Sequence, residues 1–133
     1  MAFVRCSRKG VGMANILVVD DSRTSRKILR GILEGAGFTI VAEATNGVEG
    51  YDKYVEFQPD LVTMDITMPV LDGLGGLKKI KEAFPESKVV MVTAAGQKNK
   101  MVEAVQNGAD DFIPKPFDSE QLVATLKRVL GES

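Results

Sequence analysis

Five polar residues carry most of the chemical potential of this chain: Asp20, Asp21, Asp65, Thr93 and Lys115. Each follows a short aliphatic run. ILVV precedes the paired aspartates, LVTM precedes Asp65, VVMV precedes Thr93, and FIP precedes Lys115. If those runs are neighbouring strands, three carboxylates converge at one edge with a hydroxyl and an ammonium beside them. Two carboxylates about 5 Å apart repel by roughly 3 kcal/mol at an effective dielectric near 20. Such a cluster must take up protons or admit cations. Lys115 supplies one positive charge, and the all-oxygen donor set suits Mg²⁺, which typically takes one or two carboxylates, waters and phosphate oxygens. In that setting Asp65 can act as a nucleophile towards a phosphoryl group. The dication and Lys115 would offset the repulsion between anions, and the Thr93 hydroxyl could donate to a phosphoryl oxygen. Ala94 and Ala95 leave the approach open.

Taken singly, each of these residues has a plainer reading. Asp20 or Asp21 could cap a helix, although Ser22 could do so instead. Thr93 could be an ordinary β-branched strand residue and Lys115 a solvated charge. MPVLDG, residues 68–73, could be any Pro/Gly turn, and Lys78, Lys79 and Lys81 a solvated helix face. The coincidence of polar strand ends on one edge is what favours chemistry.

The elements that must position these residues are legible in the hydrophobic pattern. Candidate strands are ILVVD (16–20), TIVAEA (39–44), DLVTMD (60–65), KVVMVT (88–93) and DDFIPK (110–115). Five amphipathic segments lie between and after them; Ile28, Leu29, Ile32, Leu33 and Ala36 in the first, and Leu122, Val123, Leu126, Val129 and Leu130 in the last, keep one-face helical spacing. Gly35 and Gly37, Pro59, Pro85 and Gly108 punctuate the helix ends, and Asp118 or Ser119 can cap the last helix. Nearly continuous apolar strands imply burial on both faces, as in a parallel sheet between helices. The fold expected is α/β: a (βα)5 doubly wound, five-stranded parallel sheet of order 2-1-3-4-5, flavodoxin-like. Pro114 would remove a ladder donor, so the fifth strand belongs at an edge, where this order puts it.

Composition bounds the function. A chain of 133 residues with 44% hydrophobic and 26% charged content fits one folded unit. A net charge of -1 argues against nucleic acid as a main target. Cys6 is the only cysteine and there is no histidine, which removes an internal disulfide, a Cys-based zinc site, Ser-His and Cys-His pairs and any phosphohistidine on this chain. No apolar run approaches a membrane span, so a cytoplasmic chain is expected. Residues 1–13 lack the apolar core of a signal peptide and read as a flexible amino-terminal extension, with Met13 an alternative initiator and 14–133 the domain.

VVDD, MDITMPVLDG around Asp65, VTAAG around Thr93 and DDFIPKPF around Lys115 together resemble the receiver domain of two-component response regulators, over about residues 14–131. The resemblance implies that Asp65 accepts a phosphoryl group from the phosphohistidine of a separate, CheA-like sensor histidine kinase, the domain catalysing its own transfer and autodephosphorylation. It implies Mg²⁺ held directly by Asp21 and Asp65, by Asp20 through water, and by the backbone carbonyl of Thr67. Lys115 would pair with the phosphoryl group, and the Lys115–Pro116 bond would be cis. Thr93 and Phe112 would form a switch pair that changes the face made by the fourth helix, fifth strand and fifth helix. Phe112 lacks the phenolic hydroxyl some relatives have, and Thr67 and Ala95 fall at positions that influence dephosphorylation. The output implied is a protein target, in chemotaxis the flagellar motor switch, reached by a monomer without nucleic acid or membrane; a phosphorelay intermediate, or a receiver in another pathway, is the alternative.

Other functions fit less well. A haloacid-dehalogenase-like phosphatase needs an acid two residues beyond its nucleophile, where this chain has Thr67. A flavodoxin-like carrier needs a phosphate-cradling loop after the first strand, which Asp20 and Asp21 would repel. An unphosphorylated interaction module would not need all five residues.

Overall fold

The computed structural model describes residues 14–131. The proposed extension 1–13 and the last two residues of the 14–133 domain lie outside them. Ten elements alternate in order: β1 (Asn15–Val19), α1 (Arg23–Gly35), β2 (Thr39–Ala44), α2 (Gly47–Phe57), β3 (Leu61–Asp65), α3 (Gly73–Ala83), β4 (Val89–Thr93), α4 (Lys98–Gln106), β5 (Asp111–Pro114) and α5 (Ser119–Val129). The strands form one parallel sheet in the order β2-β1-β3-β4-β5, as the pattern predicts.

The two-residue period of a strand divides the core into two layers. Ile16 and Val18 of β1, with Val90 and Ile113, pack against Leu29 and Leu33 of α1 and Leu122 and Leu126 of α5. Leu17 and Val19 face the other way and join Met64 and Met91 under Tyr54 of α2, Leu77 and Ile80 of α3 and Ala104 of α4. The interior strands β3 and β4 are buried along their whole length, whereas the edge strands β2 and β5 are only partly so. Burial on both faces therefore holds for the middle of the sheet, and Pro114 sits on an edge, as expected from its missing donor.

The helix starts are set by side chains. The Ser22 hydroxyl accepts the Ser25 N–H at 3.2 Å and caps α1, which leaves both adjacent aspartates free of that task. Asn46, Asp72 and Asp118 cap α2, α3 and α5 in the same manner. At the other ends, Gly37 and Gly108 take positive φ after α1 and α4. Helix α2 stops at Gln58, itself in the left-handed region at φ 43°, just before Pro59. One expectation needs correcting: Lys81 is not a solvated charge. Its ammonium reaches the Asp110 carboxylate at 3.0 Å and also bonds the Ser87 carbonyl, tying α3 to the chain on either side of β4 and α4. No helix among the described residues is long and apolar enough to cross a membrane.

Candidate functional site

Strand order reverses between β1 and β3, and the carboxyl ends of these two strands deliver the acids. Strand β1 stops one residue earlier than predicted, at Val19. Asp20 still donates its N–H to the Ala44 carbonyl at 2.9 Å, but its Oδ1 then accepts the Ser22 N–H at 2.8 Å and turns the chain into α1. Asp65 is the last residue of β3, and Thr93 the last of β4. Lys115 follows β5, held by its N–H on the Thr93 carbonyl at 2.8 Å, and the Lys115–Pro116 peptide is cis as expected.

The three carboxylates meet. One oxygen each from Asp20, Asp21 and Asp65 lie within 4.8 Å of one another, Asp20 and Asp65 buried and Asp21 exposed at the mouth. The Lys115 ammonium stands 3.3 Å from Asp20 Oδ2 and 3.8 Å from Asp65 Oδ2. Asp20 is 1% exposed, yet its Oδ2 has no hydrogen bond; the Lys115 contact is one of charge without hydrogen-bond geometry. A buried carboxylate oxygen left without a donor is costly unless a cation completes it. The donor set is all oxygen and carries three negative charges against one positive, so the residues present fit a hard divalent cation such as Mg²⁺.

Charge crowding is visible in Asp65. Burial, then the Asp20 charge, push its carboxyl up to about 6; Lys115 opposes them, Asp21 adds to the rise, and the Ile66 N–H favours the ionised form. Thr93 is buried beside this group at the end of the adjacent strand, so its hydroxyl stands on the same edge. Thr67, expected to lend a carbonyl, is in the loop after β3, and its hydroxyl accepts a hydrogen bond from Gln97 Nε2 at 2.6 Å. Gln97 Oε1 in turn accepts the Ala94 N–H at 2.6 Å. One carboxamide therefore joins the loops after β3 and β4 at the mouth of the site. Phe112 lies on β5 opposite Met91, two residues before Thr93, and packs against the core layer under α2, α3 and α4. The sheet thus gathers Asp20, Asp21, Asp65, Thr67, Thr93 and Lys115 at one edge, with Phe112 set back along β5.

Three participants were not anticipated from sequence: Gln97, Arg26 and Glu43. Arg26 Nη1 donates to the Asp20 carbonyl at 2.7 Å, and its Nε to Glu43 Oε1 at 2.9 Å. Burial disfavours the Glu43 charge, but hydrogen bonds from Arg30 and Arg26 outweigh it and hold the carboxyl below its usual value. A helical R-x-x-x-R pair was the only signal, and it does not reveal which strand residue lies opposite.

Helix α3 starts in contact with the end of the strand that carries Asp65. The Gly73 N–H donates to the Ile66 carbonyl at 2.8 Å, and a Cβ at this glycine would collide with the Asp65 carbonyl oxygen. The glycine of MPVLDG is therefore a contact with the site's own strand.

Comparison with known proteins agrees with this geometry. The family model described as "Response regulator receiver domain" matches residues 16–127. The chain is 44% identical over 116 residues to the chemotaxis protein CheY of Bacillus subtilis, covering 87% of this chain and 97% of that protein. It is 39% identical to part of the DNA-binding transcriptional regulator NtrC of Escherichia coli, over 87% of this chain and 24% of that one. Among solved structures it superposes on a chain of the CheX-CheY-BeF3-Mg²⁺ complex from Borrelia burgdorferi with TM-score 0.83 and 36% identity, covering 87% of this chain and 88% of the other. The chain belongs to the response regulator receiver domains of two-component systems.

Proposed function

We propose that Asp65 is the phosphoacceptor of this receiver and that Asp20, Asp21, Asp65 and the Thr67 carbonyl hold Mg²⁺. The observation that carries this reading is Asp20 Oδ2, buried without a hydrogen bond among three carboxylates. When bound, Mg²⁺ would supply positive charge that offsets the repulsion between the acids and an incoming phosphoryl group. The chain's own residues do the rest. With a carboxyl titrating near 6, Asp65 is largely ionised at neutral pH and can attack. A carboxylate oxygen forms a bond to phosphorus as the bond from phosphorus to the donor's histidine nitrogen breaks, and the nitrogen's electron pair leaves with the imidazole. Lys115, already between Asp20 and Asp65, pairs with a phosphoryl oxygen in place of a carboxylate. The Thr93 hydroxyl donates to another, and Phe112 moves with it to alter the face of α4, β5 and α5.

The input is a sensor histidine kinase, and we take the output to be a protein target in chemotaxis, the flagellar motor switch. Support for that pathway is the match along 97% of the Bacillus subtilis CheY. The match to NtrC supports the second reading, a receiver or relay component of another pathway.

Incubation with acetyl phosphate and Mg²⁺ should add one phosphoryl group by intact mass, removable by hydroxylamine and absent in Asp65→Asn. An adduct that persists in that variant would defeat the assignment. Pulldown of a motor switch component supports chemotaxis, and recovery of a phosphotransfer protein instead supports the relay.

A further inference from the structure

We propose that Arg26, anchored by Glu43, is a positioning residue for the acidic cluster: its guanidinium fixes the Asp20 carbonyl and so the direction in which Asp20 and Asp21 face a divalent cation. The inference rests on the metal-binding reading above.

Asp20 is held at all but one of its polar atoms. Its N–H is on Ala44, its carbonyl oxygen on Arg26 and its Oδ1 on the Ser22 N–H, which leaves Oδ2 without a hydrogen bond beside the Lys115 ammonium. Two of these ties end on main-chain groups, the Ser22 N–H in the β1–α1 turn and the Ala44 carbonyl at the end of the neighbouring strand. The Arg26 tie is different, because a long side chain must be held in one rotamer to make it. Arg26 starts from the first turn of α1, its N–H on the Ser22 carbonyl at 3.0 Å, and reaches back over that turn to residue 20. Glu43, on β2, supplies the second anchor at Nε, and the Arg26 side chain is only 15% exposed. Helix α1, strand β2 and the metal-facing loop are thereby fixed through one guanidinium, whose planar fork suits two acceptors at once. Arg30, one turn further on, bonds the other Glu43 oxygen and Glu34, away from the loop.

The sign of the effect separates positioning from bulk charge. Arg26 is a cation within hydrogen-bond distance of the Asp20 backbone, so removing it should by charge alone tighten binding of a dication. Loss of orientation should weaken it. Outer partners of metal ligands commonly matter by tenfold or more when removed.

The test is titration of the full chain with MgCl₂ by calorimetry at pH 7.5, with thermal melts of each variant alongside. Arg26→Gln should weaken Mg²⁺ binding by about tenfold, and Glu43→Gln, which keeps the arginine but loosens it, by a smaller factor. Arg30→Gln removes a neighbouring cation and a Glu43 ion pair yet should leave the affinity within about twofold. Unchanged or tighter binding in Arg26→Gln overturns the proposal. If that variant does not fold, unchanged binding in Glu43→Gln overturns it. Absence of Mg²⁺ binding by the parent chain would overturn the metal reading itself, and this inference with it, which is a distinct result from a parent that binds and variants that bind equally.

Discussion

Asp65 bears its charge at a cost to the fold. Burial, then Asp20, raise its carboxyl to about 6 from an ordinary 3.8, despite Lys115. Between those pH values the folded chain keeps a proton that the unfolded chain has released, so this group's contribution to stability falls as pH rises from about 4 to 6 and stays low above. Asp65→Asn removes the charge without changing the shape. In the absence of divalent cations the variant should therefore be more stable at pH 7.5 by about 1–2 kcal/mol, after discounting for solvent screening at the pocket mouth, with the advantage gone near pH 4. Urea melts at the two pH values check this, and a variant less stable than the parent at pH 7.5 would contradict it. Asp65 and the four residues around it, Asp20, Asp21, Thr93 and Lys115, were legible in sequence because each follows a short apolar run, so topology alone brings them together. Arg26, Glu43 and Gln97 were not. Arg26 meets Glu43 across 17 residues and Gln97 meets Thr67 across 30, and no periodicity encodes where a long flexible side chain will find its acceptor.

At the scale of elements, α3 is docked by its first residue. Gly73 leaves no room for a side chain against the Asp65 and Ile66 backbone, so Gly73→Ala must push the helix start away from β3 or strain the strand end. The expected cost is about 1–3 kcal/mol in a denaturant melt, typical of forced overpacking. Amide shifts should concentrate at Asp65 and Ile66 rather than along the far end of α3. An alanine variant with parental stability would show that the helix start yields freely. The elements themselves were largely readable: all five strands fall within a residue or two of the apolar runs and a helix follows each, because each run is long enough to fill one layer contact. The turns were less so. MPVLDG announced a turn through proline and glycine, but the residue that takes positive φ there is Val70, at 68° and 83% exposed. A β-branched residue is a poor occupant of that region, so its side chain gave no hint of the backbone it adopts. Similarly, Gln58 turns the end of α2 where Pro59 was the visible mark.

Across the whole molecule, the site and the face it would control are joined by the register of two strands. Thr93 ends β4 beside Pro114, and Phe112 sits two residues back on β5, opposite Met91. A displacement of Thr93 towards Asp65 therefore acts on the strand that carries Phe112, and Phe112 packs in the same core layer as Ala104 of α4. Such coupling requires that the ligand favour one of two arrangements, because equal binding to both would shift nothing. On the proposed reading the hydroxyl of Thr93 is the group through which the phosphoryl end would be felt at β4, and Thr93→Ala removes it together with one methyl group. Beryllofluoride with Mg²⁺ should shift the amides of Asp65, Thr93, Phe112 and α4 in the parent chain. In Thr93→Ala the shifts near Asp65 should persist, while those at Phe112 and along α4 fall to about half or less, since the differential contact that biases the two arrangements is lost. Full-sized shifts on α4 in the variant would mean that the signal crosses the sheet by another route, with the 2.6 Å bonds of Gln97 between the loops after β3 and β4 the first place to look.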